Sequence, residues 1–215
     1  FHGYGPEQGY DFLKEEIQKY YARREVKLNL DEIREIYNAY MHEAFPPSEL
    51  RPFASMEMLY NKNCYPCYGF YDETDSLCAY AYFSCTENGK YALLDYFAVR
   101  KDLRGTGIGS KTFPLLRTEM KDRDGLLLEV ESVESAEAEE EVNIRRRRIA
   151  FYERCGCEMT KAKSLLYGVD FNILVLPIAQ PVPEAKVVLH ELENIYHVMF
   201  DDELYQRVCH PFIAE

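Results

Sequence analysis

Apolar residues recur along the chain with two different periods, and the places where the period changes divide it into elements. Phe12, Ile17, Tyr20 and Tyr21 fall at broadly helical spacing and predict a helix over 11–24. A second helix is expected over 30–44, where Ile33, Ile36, Tyr37, Tyr40 and Met41 form one stripe. Asn29 stands before it as an N-cap, and Pro46-Pro47 ends it. A short helical piece over 48–59 follows, with Pro52 near its start. Three strands come next, over 65–72, 77–85 and 91–99, all rich in aromatic and small apolar residues. A polar turn at 73–76 separates the first two, and Asn88-Gly89 is a strong hairpin signal before the third. A Gly-rich segment then opens an amphipathic helix over 108–120, and Gly125 opens a strand over 126–131. A long helix is expected over 134–154, then strands over 157–161 and 170–176. Pro177, Pro181 and Pro183 form a linker to a last helix over 185–205, with Val188, Leu192, Ile195, Met199 and Phe200 along one face.

The length of 215 residues suits one α/β domain with appendages. The expected division is a tail and extra helix over 1–27, the main domain over 28–178, and a Pro-rich linker and helix over 179–215. Hydrophobic residues make up 47% of the chain, enough for a sizeable core. The longest apolar run, 171–179, is far short of the roughly 20 residues that span a membrane. Residues 1–10 carry Gly3, Gly5, Pro6 and Gly9 and lack the apolar core of a signal peptide. The expectation is a cytoplasmic protein with no membrane partner.

A net charge of −12 repels phosphate backbones and argues against a nucleic-acid partner. It favours cations, amines among them, while an anionic cofactor needs its own local positive site. The run Arg145 to Arg148 does not reverse this. It follows Glu137, Glu139, Glu140 and Glu141, so the helix places anions early and cations late, as its dipole prefers. The seven cysteines are scattered and read as reduced thiols. Cys64 and Cys67 have the spacing of a zinc knuckle, but Cys155 and Cys157 are wrongly spaced to complete one, so no metal is expected.

The stretch with chemistry in it runs from Leu93-Leu94-Asp95-Tyr96-Phe97-Ala98-Val99 to Arg104-Gly105-Thr106-Gly107-Ile108-Gly109-Ser110. A strand enters a Gly-rich turn that opens a helix, where free backbone amides and the dipole make an anion site. It is no P-loop, because Gly-Lys-Ser/Thr is absent. It is no dinucleotide fingerprint, because its glycines alternate and its strand sits in an antiparallel run.

Arg104-x-x-Gly107-x-Gly109 after Ala98-Val99 resembles motif A of the GNAT acyl-CoA N-acetyltransferases. Arg148-Ile149-Ala150-Phe151-Tyr152-Glu153-Arg154-Cys155-Gly156-Cys157 resembles the family's second signature, and the order of elements agrees over about 28–177. The resemblance implies an α/β fold of the α+β kind. Its mixed, mostly antiparallel sheet of about six or seven strands splays open around acetyl-CoA, the co-substrate, and carries extra helices at both ends. It implies that Phe97, Ala98 and Val99 line the pantetheine arm, with backbone groups of Phe97 and Val99 pairing to it. The same resemblance implies that Arg104, Gly105, Thr106, Gly107, Ile108, Gly109 and Ser110 hold the pyrophosphate and that Tyr152 protonates the departing thiolate. The reading of Tyr152 from composition alone is a core tyrosine, one of 18 in the chain.

An amine acceptor is protonated near neutral pH, since a lysine-like ammonium has a pKa of about 10.4, so a carboxylate must take its proton. Asp95 is the first candidate, because strand alternation puts it on the face of Phe97 and Val99; Glu129 and Glu131 are the second. Each is also readable as a structural anion. The chain departs from the family pattern at Arg145, Arg148 and Cys157, where Asn, Ala and Phe are usual. The acceptor is a small-molecule amine or a peptide or lysine amine. A catalytically silent acyl-CoA-binding module is the alternative. The last helix is expected to fold back over its own domain, beside the helix over 11–24, or to pair with a second copy, giving a monomer or homodimer. In either case it is expected to carry no chemistry.

Overall fold

The computed structural model describes residues 24–214. The helix expected over 11–24 therefore lies outside the described residues, except that Arg24 opens a strand, β1 (Arg24–Lys27). α1 (Leu30–Ile36) follows and runs on through a π-helical turn (Tyr37–Met41) into a final turn (His42–Ala44). Its start is fixed by a reciprocal cap. The Asn29 side chain accepts from the amides of Asp31 and Glu32, and the Glu32 carboxylate accepts from the Asn29 amide at 2.8 Å. Asn29→Ala is expected to cost about 1 kcal/mol. Urea unfolding should show a lower midpoint at unchanged slope.

α2 (Phe53–Asn61) precedes a three-strand meander of β2 (Cys67–Tyr71), β3 (Leu77–Cys85) and β4 (Tyr91–Val99). A short turn (Lys101–Leu103) leads to α3 (Ile108–Glu119), β5 (Gly125–Glu131) and α4 (Glu139–Arg154). β6 (Glu158–Leu166) and β7 (Val169–Pro177) form a hairpin. The chain closes with α5 (Ala185–Met199), α6 (Asp202–Val208) and β8 (Cys209–Ile213).

Among the described residues all the strands join one sheet of eight, in the order β1-β2-β3-β4-β5-β7-β6-β8, in which only β4 and β5 run parallel. Six or seven were expected. The additions, β1 and β8, are the two edges. β8 contains Pro211, which lacks a ladder donor and argues against a strand in sequence; an edge tolerates it. The expected last helix is interrupted because Asp201 caps a new one, accepting from the Leu204 amide at 2.8 Å. Phe200 is extended there rather than helical. The long helix begins at Glu139 rather than 134, since Val133–Ser135 forms a separate turn.

β4 and β5 pair only from Tyr91–Gly125 to Leu94–Leu128. Beyond that β4 stays with β3 and β5 stays with β7, so the sheet splays into a V whose apex is flanked by Asp95 and Glu129. Helices cover both faces. Phe113 and Leu116 of α3, with Phe151 and Tyr152 of α4, pack on Phe83, Ala92 and Leu128 on one face. On the other, α1 and α2 cover Tyr65, Tyr82 and Tyr96. Beside them α5 lays Val188, Leu192, Ile195, Tyr196 and Met199 on Leu93, Leu127 and Val175. The last helix thus folds back on its own sheet. Each fully buried apolar side chain contributes roughly 1.5–3 kcal/mol, which holds α5 firmly.

Candidate active site

The turn after β4 needs its glycines for different reasons. Gly105 (φ 81°) and Gly107 (φ 85°) adopt the left-handed conformation, and a Cβ on either would meet nothing within 4 Å. Open space therefore faces this turn. Gly109 is instead a packing glycine, since its Cβ would lie 3.1 Å from Phe151. Among the described residues no side chain caps α3, and its first internal bond runs from the Lys111 amide to the Gly107 carbonyl. The amides of Ile108, Gly109 and Ser110 precede that bond and are free for an anion. Arg104 Nε donates to the Val99 carbonyl at 3.3 Å, and Thr106 Oγ to the Leu103 carbonyl at 2.6 Å, which brace the turn.

The Arg100 amide donates to the Cys78 carbonyl on β3. By alternation Ala98 also faces β3, and the backbone groups of Phe97 and Val99 turn into the V. The side chains of Phe97 and Val99 lie on the α3/α4 face. Phe97 stacks on Phe151 at 6.3 Å and meets Phe113 edge-on at 5.4 Å. Tyr152 closes the same cluster, 5.9 Å from Phe113. Burial pushes its phenol up to about 12, with Arg148 opposing, so it stays protonated across the working pH range.

Asp95 does not share the face of Phe97 and Val99. Tyr82 pairs with Tyr96 but Phe83 pairs with Leu94, so Asp95 is the extra residue of a bulge. The bulge resets the alternation and turns Asp95 to the opposite face. There the Tyr65 phenol donates to Asp95 Oδ2 at 2.6 Å, and Arg51 Nε lies 3.4 Å from the same oxygen. The Tyr96 hydroxyl ties the loop before α2 to this place, donating to the Glu49 carbonyl at 2.7 Å and accepting from the Arg51 amide at 2.8 Å. Asp95 is thereby engaged as a structural anion.

Glu131 is also engaged. Arg145 lies 3.2 Å from one of its oxygens and Arg148 lies 2.9 Å from the other. The two arginines that depart from the family pattern thus neutralise a carboxylate on β5. Arg145 also donates to the Ser132 carbonyl at 2.7 Å, fixing the turn before α4. Glu129 differs. Among the described residues it pairs with no lysine or arginine, and it accepts from the Tyr196 hydroxyl. Burial at the apex raises its carboxyl to about 7; the Tyr196 bond opposes the rise and the nearby Asp95 charge adds to it.

The pair Cys64 and Cys67 is buried, and each thiol donates to a carbonyl two residues back, of Lys62 and Tyr65. They pack as small apolar residues. Arg51, Tyr65 and Tyr196 escaped the sequence reading. The last had a signal: it stands four residues after Leu192 on the apolar stripe, and a buried phenol on such a stripe needs a hydrogen-bond partner.

No curated protein matches this chain. Solved structures of similar fold include a protein from Bacteroides thetaiotaomicron described as an acetyltransferase of the GNAT family. It has 18% identity and a TM-score of 0.62, over 81% of this chain and 98% of that one. Spermidine N-acetyltransferase from Vibrio cholerae, solved with CoA and spermine, has 14% identity and a TM-score of 0.54, over 73% and 96%. The ribosomal-protein-S18-alanine N-acetyltransferase of Escherichia coli has 20% identity and a TM-score of 0.52, over 74% and 96%. Residues 30–157, more than half of the chain, match the profile of the acetyltransferase (GNAT) family. With the splayed sheet, the uncapped Gly-rich helix start and the Phe-Tyr-Glu helix in place, the chain belongs to the GNAT acetyltransferase family.

Proposed function

We propose that this protein transfers an acetyl group from acetyl-CoA to a primary amine by direct attack, with Glu129 as base and Tyr152 as hydrogen-bond donor to the leaving sulfur. One observation carries the reading. The free amides of α3, the exposed edge of β4 and the apex of the V form one path, which ends beside a carboxylate that, among the described residues, no lysine or arginine neutralises. The free amides of Ile108, Gly109 and Ser110, at the end of the turn that begins at Arg104, take the pyrophosphate. The pantetheine arm pairs with the backbone of Phe97 and Val99 as an added strand does. That brings the thioester to the apex, with Tyr152 on the α3/α4 face and Glu129 on the face covered by α5.

The amine approaches from the Glu129 side and gives its proton to the carboxylate, directly or through a water. Its lone pair attacks the thioester carbon, a C–N bond forms, the C–S bond breaks toward Tyr152, and the second proton shed by the new amide nitrogen goes to the departing thiolate. A carboxylate near 7 is a better match to an ammonium near 10.4 than one near 4.3, and each unit is worth about 1.36 kcal/mol. A phenol near 12 does not hand its proton fully to a thiolate of ordinary pKa near 8.5. Its contribution is chiefly a hydrogen bond to the developing charge. The relatives act on spermidine and on an alanine of a ribosomal protein, which supports an amine acceptor as the class.

Tyr152→Phe keeps the aromatic packing and removes the donor. It should lower kcat by roughly 10- to 1000-fold, with acetyl-CoA binding near that of the parent. Equal turnover by this variant removes Tyr152 from the mechanism.

A further inference from the structure

We infer that Tyr196, on the C-terminal helix α5 and outside the family-matched segment, is a positioning residue for the base: its hydroxyl orients the Glu129 carboxylate and favours its ionised form. The inference rests on the assignment of Glu129 as base. Its own support is a chain of three groups from separate elements. Ser164 of β6 and Tyr196 of α5 have their hydroxyl oxygens 2.9 Å apart, and Tyr196 donates on to Glu129 of β5. An ionised carboxylate only accepts, so the Tyr196 proton points to Glu129 and Ser164 donates to Tyr196. Such a chain polarises each bond in it and strengthens the last.

The geometry leaves the phenol little freedom. Tyr196 and Ser164 are both fully buried, and the Tyr196 ring packs on Phe200 at 6.0 Å. The other groups facing Glu129 do not replace this bond. Asp95 on β4 repels it and is itself occupied by Arg51 and Tyr65. Cys209, at the start of β8, stays neutral, with its thiol raised by burial to about 12. Arg145 and Arg148 are spent on Glu131, on the same strand. Among the described residues Tyr196 is thus the only side chain that donates to Glu129. A segment that looked like a structural appendage therefore completes the site.

The test is the pH dependence of kcat/KM for the amine in the parent, Tyr196→Phe and Ser164→Ala, with Glu129→Gln alongside. The parent should lose activity as pH falls through about 7, where Glu129 protonates. Without the hydroxyl the charged form loses its donor, so the acid limb in Tyr196→Phe should move up by about one unit. That is roughly a tenfold loss at low pH, recovered on the alkaline plateau, with an unchanged KM for acetyl-CoA. Ser164→Ala should move the limb the same way by less, and it decides the matter if Tyr196→Phe does not melt as a folded protein. An unmoved limb, or an equal loss at every pH, overturns the inference. If Glu129→Gln keeps the parental limb, the base assignment falls and this inference with it. If Glu129→Gln loses the limb while Tyr196→Phe keeps it, this inference alone is overturned.

Discussion

Glu129→Gln is expected to lower kcat by roughly 100- to 10,000-fold near pH 7.5, the range for a lost general base, while acetyl-CoA binds as before. Asp95 and Glu131 cannot take over. The first is held by Tyr65 and Arg51, the second by Arg145 and Arg148. Glutamine keeps the size of the side chain and its acceptor for the Tyr196 hydroxyl, so the fold is preserved. Linkage gives a sign for stability. A carboxyl raised in the folded protein stabilises the fold below its unfolded pKa, and that contribution is lost as pH rises through the folded value, about 7. Above that pH the variant, with no charge to bury, should be at least as stable as the parent. Thermal melts at pH 5 and pH 8 check this, and stopped assays give kcat. A variant within threefold of the parental kcat would move the base elsewhere.

Gly107→Asp should abolish measurable binding of acetyl-CoA. The position has φ 85° and open space around its Cα. Aspartate tolerates the left-handed region better than most residues, so the variant folds at a cost of roughly 1–2 kcal/mol. Its carboxylate then stands where the pyrophosphate belongs. Two like charges about 4 Å apart repel by about 4 kcal/mol at a surface-like dielectric, close to a thousandfold in affinity. Ligand at about 100 times Kd stabilises the parent by roughly 2.7 kcal/mol, several degrees in Tm for a chain of this size. That rise should vanish in Gly107→Asp and largely persist in Gly107→Asn, which shares the backbone constraint without the charge. Loss of the rise in both variants would point to backbone distortion rather than to an anion site.

The sequence carried most of what is local. β3 and β4 were bounded as runs of aromatic and small apolar residues on either side of the Asn88-Gly89 turn, and α3 by the glycines before it. The proposed anion site of the Gly-rich turn was legible for the same reason, since positive φ and free amides are properties of a short segment. What escaped depends on partners far along the chain. The bulge at Asp95 exists only in the pairing of β3 with β4, and no alternation in β4 by itself reveals it. Yet it decides which face Asp95 occupies, and so moves the proposed base from Asp95 to Glu129. β8 has a sequence, Cys-His-Pro-Phe-Ile, that becomes a strand only because β6 offers an edge. The bond from Tyr196 to Glu129 spans 67 positions and joins a helix stripe to a strand end. Periodicity identified α5 as buried on one face but could not say against what.

The most direct measurement is the stoichiometry of transfer. The full chain is incubated with acetyl-CoA and a panel of amines: a polyamine, an amino sugar, a peptide with a free N-terminus and a peptide with an internal lysine. Free thiol is followed by absorbance and acetylated amine by mass spectrometry. The proposed transfer requires thiol release that depends on an amine, one acetylated amine per thiol, an activity that falls below about pH 7, and its loss in Glu129→Gln. Acetyl-CoA that raises the melting temperature of the parent yet releases no thiol with any amine would contradict it, and would leave a module that binds the acyl-CoA without using it.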